Sequence, residues 1–176
     1  MKKTIGILAI SIIMASCGGG GESTEAPKEK PKSMINSAPK EKAVEKPADL
    51  PEVAELTIEG DDMMKFNLDR MEVWEGQTVK LTLKHTGTMP VESMGHNWTL
   101  LKQGVDVMEF GAASATAKDT DYLPAGKEGD VIAKTKTIGG GEEVTIEFAA
   151  PAKGTYDFIC AFPGHYGMMK GKFVVK

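Results

Sequence analysis

What the sequence has little of already excludes some classes of protein. It contains 2 cysteines and 3 histidines in 176 residues, aromatic residues make up 6%, and the net charge is −4. Without an excess of basic residues, it lacks the positive face that nucleic-acid-binding proteins usually present. Its apolar run TIGILAISIIM is too short to be a convincing membrane span. The remaining composition, 41% hydrophobic and 26% charged with 11 methionines, is typical of a soluble globular protein with a real core.

The first residues read as an export signal. Residues 1–16 begin with a positive pair of lysines, continue with the apolar run and end in the small residues of MASC. This pattern resembles the lipobox of bacterial lipoproteins, with Met14 where leucine is more usual, and implies lipidation of Cys17. An ordinary secretory signal with a leftover cysteine is the alternative. Lipidation would anchor the protein to a membrane facing the periplasm, and Gly18 favours the outer membrane because it shows no inner-membrane retention signal.

A flexible tether and one domain are predicted after the signal. Residues 17–50 carry the lipidated cysteine and a stretch rich in Gly, Pro, Lys and Glu that lacks aromatic residues. Such a composition cannot bury enough apolar surface to offset its ordering entropy. We therefore place the domain at residues 51–176. If Cys17 is lipidated, Cys160 has no disulfide partner, and metal ligation is one way to protect a lone thiol in an oxidising compartment.

Alternating apolar and polar residues predict an all-β domain. TVKLTLK places Val79, Leu81 and Leu83 on one face, and EVTIEF alternates in the same way. Short strands separated by turn residues are typical of a β-sandwich or barrel. The weakly helical stretch GVDVMEFGAASATAKDTDYLPAG breaks this rhythm and predicts an insertion with a short helix. The further predicted strands are 53–59, 65–74, 96–102, 130–137, 154–160 and 171–175.

One short loop contains three possible metal ligands. In CAFPGHYGMMKG, Cys160 ends an inward-facing row of a predicted strand, His165 follows five residues later, and a methionine pair follows that. Each alone is more often a packing residue than a ligand. His96, directly after Gly95, offers a second imidazole from another strand, and that glycine lets its own carbonyl approach a metal. Two imidazoles, a thiolate and a long axial thioether form the set expected for a type 1 electron-transfer copper.

These motifs resemble the azurins, the bacterial members of the cupredoxin family. MGHNW together with CAFPGHYGMM carries the likeness, and the segments GDDMMKFN, KHTGTMPVESMGHNW, DTDYL and VIAKTKTIGGGE extend it across most of the domain. Plastocyanin-like cupredoxins space the loop cysteine and histidine more closely, so the four intervening residues here favour azurin. The resemblance implies a Greek-key β-sandwich or barrel of cupredoxin type, one copper ion and a single-electron carrier.

The resemblance also implies a role for each site residue. His96, Cys160 and His165 would be the equatorial copper ligands, and the Gly95 carbonyl a weak axial contact. Composition alone leaves Met168 and Met169 as alternatives for the axial thioether, and the azurin spacing selects Met169. Asn97 matches a family residue whose side chain ties the two ligand loops together. His85 matches a histidine that is not a ligand, and we expect it to be partly buried with modest pH sensitivity.

An apolar surface around His165 is implied as the electron port. A soft, uncharged rim suits brief docking with different redox partners, such as c-type cytochromes or terminal reductases. For Met64, a core position is an equal alternative. The matching positions are Met64, Met89, Met94, Phe162, Pro163, Gly164 and Met168.

Other functions remain as alternatives. A copper enzyme needs a second metal centre with an open position, and His85 is the one histidine left over, so we do not predict an enzyme. An exported copper carrier or storage protein fits the methionine-rich, tethered domain better. Zinc could occupy the same ligands during heterologous expression.

Overall fold

The computed structural model describes residues 46–176. The predicted signal, Cys17 and most of the predicted tether lie outside the described residues, so they remain predictions. Within the described part, no helix is long and apolar enough to cross a membrane.

Eight strands form two sheets in the described part of the chain. In chain order the strands are β1 (Val53–Gly60), β2 (Arg70–Val73), β3 (Thr78–His85), β4 (Thr99–Leu101), β5 (Val131–Lys134), β6 (Glu143–Ala149), β7 (Gly154–Ile159) and β8 (Lys170–Val175). The first sheet has the order β1-β3-β6, and the second has the order β2-β8-β7-β4-β5. The pairs β1–β3 and β2–β8 are parallel, and the other neighbours are antiparallel. The two sheets do not close into a barrel, so the all-β prediction is confirmed in its sandwich form.

Inward-facing rows of both sheets build the core. In β3, Val79, Leu81 and Leu83 are fully buried while their neighbours in sequence are not, as the alternation predicted. Aromatic rings join the sheets: the Phe148 ring of β6 lies 5.8 Å from the ring of Trp98 and 6.1 Å from that of Phe173. The two sheets therefore pack against each other around one buried core.

Within residues 46–176, two helices lie outside the sheets: α1 (Val91–Met94) and α2 (Val107–Ser114). The second is the short helix predicted in the insertion. Its N-terminus is capped because the Asp106 carboxylate accepts hydrogen bonds from the backbone N–H groups of Met108 and Glu109. Two single 3₁₀ turns follow, at Lys118–Thr120 and Glu128–Asp130.

The predicted strand at 65–74 is wrong in its first half. The Asp61 carboxylate accepts hydrogen bonds from the N–H groups of Met63 and Lys65, and Met64 has a φ of 56°, so this segment is a side-chain-stabilised turn. The Asn67 side chain then bonds the Glu59 N–H at 2.8 Å, where a strand would place a backbone group. Regular pairing starts only at β2.

Two further predicted strands are shorter than expected. The strand predicted at 96–102 is regular only in β4, because His96 makes a single bridge to Ile138 before the ladder begins. The strand predicted at 130–137 ends with β5 at Lys134. The other predicted strands agree with the structure to within one residue at each end. The irregular segments 96–98 and 135–138 lie side by side next to the candidate site.

Candidate metal centre

The loop between β7 and β8 holds its shape through its own backbone. The two strands pair up to Ile159 and Lys170, so they bring the ends of the loop together. Within it, the Cys160 N–H donates to the Met169 carbonyl at 2.8 Å, and the Met169 N–H donates to the His165 carbonyl at 2.8 Å. Gly164 has a φ of 82°, a conformation that glycine adopts without strain. The cysteine, the histidine and the methionine of this loop are therefore fixed relative to one another.

His96 is oriented through its backbone and through one of its two ring nitrogens. Its backbone N–H and carbonyl bond to Ile138, both at 2.9 Å. Its Nε2 lies 2.9 Å from the Asp61 carbonyl oxygen, which can only accept, so Nε2 carries the proton and donates. The lone pair is then on Nδ1, which is buried and has no hydrogen-bond partner among the described residues. A buried nitrogen in this state is costly unless it binds something.

Two further possible ligand atoms lie close to this nitrogen. The side-chain donor atoms of His96, Cys160 and His165 all lie within 4.8 Å of one another. The Cys160 sulfur is 3.7 Å from Nδ1 of His165. The exposed fraction is 0% for His96 and Cys160 and 3% for His165. Two imidazoles and a thiol in a dry pocket fit a copper ion of the type 1 class.

The structure also places Gly95 and Met169 at this cluster. The Gly95 carbonyl oxygen lies 3.9 Å from the Cys160 sulfur. Met169 is fully buried, and its methyl group and the His96 ring both border the space beside Gly60, where a Cβ would lie 3.2 Å and 2.7 Å from them. Met168 is instead 66% exposed. Of the two adjacent methionines, only Met169 is within the pocket.

Burial keeps the metal-free site neutral. It raises the pKa of the Cys160 thiol to about 12, although backbone N–H groups of Asn97 and Phe162 bond to the sulfur and oppose the rise. Burial, with the neighbouring His96 and His85, lowers the pKa of His165 to about 4. At neutral pH the pocket therefore holds a thiol and uncharged imidazoles. A cation that binds there displaces the thiol proton, because the thiolate is the ligand form.

The Asn97 side chain connects the two ligand segments. It is fully buried, and its oxygen accepts a hydrogen bond from the Ala161 N–H at 2.7 Å. Its nitrogen donates to the Thr137 hydroxyl at 3.0 Å. Asn97 follows His96 and Ala161 follows Cys160, so this one amide joins the neighbours of two ligands.

Sequence reasoning missed Asp61 and Thr137. Asp61 acts through its backbone carbonyl, which any residue would supply, so no sequence signal could identify it. Thr137 is one of two threonines in AKTKTIGG, and nothing local distinguishes its hydroxyl from that of Thr135.

His85 is close to the site but has no free nitrogen for a metal. Its ring stacks on that of His96, with ring centres 4.3 Å apart. Its Nδ1 accepts a hydrogen bond from the Gly87 N–H at 3.1 Å, so Nε2 carries the proton and donates to the Met94 carbonyl at 2.8 Å. The side chain is 2% exposed, which is more buried than we expected from the sequence.

The residues of the predicted apolar surface differ in exposure. Met168 and Gly164 are exposed, Met89 is 37% exposed, and Met94 and Pro163 are half-buried. Half-buried Met64 packs against the core. Phe162 lies beneath this surface rather than in it, because its ring is packed between Tyr122 and His165 at centroid distances of 5.1 Å and 4.8 Å.

Comparisons with known proteins agree with this geometry. Residues 53–176 match the family model described as copper binding proteins, plastocyanin/azurin family. The chain is 43% identical over 128 residues to an azurin of Pseudomonas fluorescens biotype A, covering 69% of this chain and 97% of that protein. It is 44% identical over 121 residues to outer membrane protein H.8 of Neisseria gonorrhoeae, covering 66% of this chain and 64% of that protein's length.

A solved structure shows the same fold. Auracyanin A, a "blue" copper protein from Chloroflexus aurantiacus, superposes with a TM-score of 0.63 at 35% sequence identity. The superposition covers 70% of this chain and 99% of that one.

Proposed function

Because the chain belongs to the plastocyanin/azurin family of copper-binding proteins, we propose that it shuttles single electrons between exported redox partners through one type 1 copper. The observation that carries the proposal is the buried convergence of His96, Cys160 and His165 within 4.8 Å. The unpartnered Nδ1 of His96 supports it, since this atom is oriented for a ligand.

The residues of the pocket suit this role. Thiolate and thioether favour Cu(I) and imidazole also accepts Cu(II), so bound copper would supply a one-electron couple. Cys160, His165 and Met169 are held by one backbone network, and His96 is held by Asp61 and Ile138. A pocket built in this way changes little between oxidation states. His85 has both ring nitrogens in hydrogen bonds, so it offers no ligand for a second centre, and we propose a carrier rather than an enzyme.

Copper titration of the full-length protein tests the proposal. We expect one equivalent of Cu(II) to give an intense visible thiolate-to-copper charge-transfer band and the EPR spectrum of a type 1 site. Cys160→Ser is the matched control and should remain without the band. A wild-type protein that stays colourless with Cu(II) would contradict the proposal.

Partners would dock over His165, on the surface that includes Met89, Gly164 and Met168. We propose redox proteins such as c-type cytochromes or terminal reductases. Exposed methionines desolvate easily and repack against different partners. Met168 is 66% exposed, and its backbone N–H donates to the carbonyl of buried His165 at 3.0 Å.

Charge placed on this surface tests the docking proposal. Met168→Lys and Met89→Lys should slow electron exchange with a c-type cytochrome while leaving the visible spectrum unchanged. Val53→Lys is the control: Val53 is 43% exposed at the start of β1, roughly 20 Å along the strand from Gly60 beside His96. Equal rates in all variants would exclude this surface as the port.

For location, we propose an exported protein anchored by lipid on Cys17 to a membrane facing the periplasm, with the outer membrane favoured. The lipobox-like MASC motif and the similarity to a protein named outer membrane protein H.8 support this proposal. In a bacterial host, Cys17→Ser should move the protein from the membrane fraction to the soluble fraction. If the variant stays with the membranes, another anchor is responsible.

A copper carrier or storage protein is the second candidate. The exposed thioethers of Met63, at 75%, and of Met168 favour it, since soft ligands at a surface can pass on Cu(I). A carrier of this kind releases Cu(I) readily to a chelating acceptor. An electron carrier keeps its copper through many redox cycles, so copper retention distinguishes the two.

A further inference from the structure

We propose that Thr137 is a positioning residue of the metal centre: its hydroxyl holds the buried Asn97 amide, which in turn holds the backbone beside Cys160. The inference deepens the proposed function and rests on it for the effect on copper. Its first step, the hold on the backbone, can be measured in the metal-free protein.

The Asn97 amide has few possible partners. Because it is fully buried, each of its polar atoms needs a partner within the protein. The oxygen accepts from the Ala161 N–H at 2.7 Å and from the Thr99 hydroxyl at 3.4 Å. Among the described residues, the nitrogen has one acceptor, the Thr137 hydroxyl oxygen at 3.0 Å. The position of the amide therefore depends on that hydroxyl.

The two main partners of the amide act differently. The Ala161 N–H can only donate, so it selects the oxygen end of the amide. The Thr137 hydroxyl satisfies the nitrogen end, which would otherwise be a buried donor without an acceptor, at a cost of about 1–3 kcal/mol. Without this hydroxyl, the amide reduces that cost by rotating toward another acceptor, and the Ala161 N–H then loses its bond.

Thr137 is itself fixed from two directions. Its neighbour Ile138 is paired with His96 through two backbone hydrogen bonds of 2.9 Å. Its own N–H donates to both carboxylate oxygens of Asp121 at 3.2 Å, and one of them, Oδ2, also accepts from the Lys134 ammonium group. Asp121 belongs to the insertion between β4 and β5, so a contact from the insertion reaches the metal centre through Thr137 and Asn97.

The end of this series of contacts is the Cys160 sulfur. Ala161 lies between Cys160 and Phe162. The backbone N–H groups of Phe162 and Asn97 both donate to the Cys160 sulfur. Hydrogen bonds around the cysteine sulfur tune the reduction potential of type 1 copper sites. They withdraw electron density from the thiolate and favour the reduced state. When Asn97 no longer holds Ala161, these bonds weaken and the reduction potential falls.

The test compares three variants of the full-length protein. Thr137→Val keeps the shape and removes the hydroxyl, Thr137→Ser keeps the hydroxyl, and Ser114→Ala removes a different buried hydroxyl, one that donates to the Phe110 carbonyl in α2. The two measurements are amide hydrogen exchange of Ala161 in the metal-free protein and the reduction potential of the copper-loaded protein.

We expect Thr137→Val to speed Ala161 exchange roughly tenfold and to lower the potential. Thr137→Ser should restore both values, and Ser114→Ala should change neither. Wild-type exchange in Thr137→Val overturns the proposal. The same is true if Thr137→Ser behaves like Thr137→Val, because the methyl group would then be responsible.

A second variant covers the case in which Thr137→Val does not fold. Asp121→Ala removes both carboxylate oxygens that accept from the Thr137 N–H, together with the ion pair to Lys134. Faster Ala161 exchange in it supports the proposal, and unchanged exchange overturns it. If wild-type protein binds no copper, the exchange result still decides the positioning role, so the two proposals can fail separately.

Discussion

The outer face of the three-stranded sheet and the metal centre both consist largely of polar side chains, but these lie in opposite environments. On the sheet face, Lys80 pairs with Glu55 at 3.3 Å and Lys84 pairs with Glu143 at 3.1 Å, and the exposed fraction of the four side chains is between 43% and 75%. At the metal centre, His96, Asn97 and His165 are at most 3% exposed.

This difference predicts how much each polar contact contributes. An exposed ion pair stabilises a protein by about 0–1 kcal/mol, because water competes with both partners. A buried polar group that loses its partner costs about 1–3 kcal/mol. Loss of a polar contact at the metal centre should therefore lower the free energy of unfolding more than loss of an ion pair on the sheet face.

Acid should act mainly on the metal centre of the metal-free protein. Burial and the neighbouring His96 and His85 lower the pKa of His165 from 6.5 to about 4. Between pH 4 and pH 6.5 the unfolded chain binds more protons than the folded chain. The contribution of neutral His165 to the free energy of unfolding is therefore complete above pH 6.5 and is lost as the pH falls toward 4. The shift corresponds to roughly 3 kcal/mol. Denaturant unfolding across this pH range measures the loss.

His165→Gln is the control for the acid effect. It removes the titrating group, so the loss of stability over the same pH range should become smaller. It should not vanish, because burial also lowers the pKa of His96. An unchanged pH dependence in the variant would assign the effect to other groups.

Gly95→Ala should be the most damaging single-methyl change considered at the metal centre. A Cβ at this position would lie 2.6 Å from the Val91 carbonyl oxygen and 2.7 Å from the Phe162 ring. Overpacking of this kind typically costs about 1–3 kcal/mol. Gly129→Ala is matched, because a Cβ there meets nothing within 4 Å, and should change the free energy of unfolding by less than about 0.5 kcal/mol. Equal effects would remove the distinction between tight and open glycines.

Local pattern predicted the frame of the site. Alternation in β3 and β7 identified the side chains that point inward. In β7 this inward series, Tyr156 and Phe158, continues to Cys160, which lies in the pocket as the alternation predicted. The motif spacing identified His96 and His165, which the fold brings together across 69 positions of sequence, from 96 to 165. These features were accessible because each is encoded within a few consecutive residues.

The contacts that hold the site were not accessible from the sequence. Thr137 is hydrogen-bonded to Asn97, 40 positions away in the sequence, and to Asp121, 16 positions away. The alternation of apolar and polar residues does not predict contacts between single residues so far apart. The error at 65–69 has a local cause: the Asp61 and Asn67 side chains take part of the hydrogen bonding, and only an isolated bridge between Gly60 and Phe66 is left of the expected strand. Phe162 was assigned to the surface because a family position does not specify which neighbours cover it.

The two adjacent methionines allow a test with a smaller effect on stability. Met169→Leu nearly conserves volume, so it should cost less than about 1.5 kcal/mol although Met169 is fully buried. If its sulfur is the axial ligand, the copper-loaded variant should show an altered visible spectrum and a raised reduction potential, because the oxidised ion loses a donor. Met168→Leu is the matched control and should change neither. An unchanged spectrum in Met169→Leu would exclude the axial role.

The smallest effect is expected on the sheet face. Lys80→Ala removes the ion pair with Glu55, in which the two side chains are 43% and 75% exposed, and should change the free energy of unfolding by less than about 0.5 kcal/mol. The stem of Lys80 lies on the outer face of the sheet, because Val79 and Leu81 on either side of it are fully buried and successive side chains of a strand point to opposite faces. Thermal unfolding of the variant measures the change, with Lys84→Ala as a parallel case for the pair with Glu143. An exposed ion pair contributes at most about 1 kcal/mol. If either variant loses more free energy of unfolding than that, polar contacts on the sheet face contribute as much as those at the metal centre, and burial does not explain the contrast between the two regions.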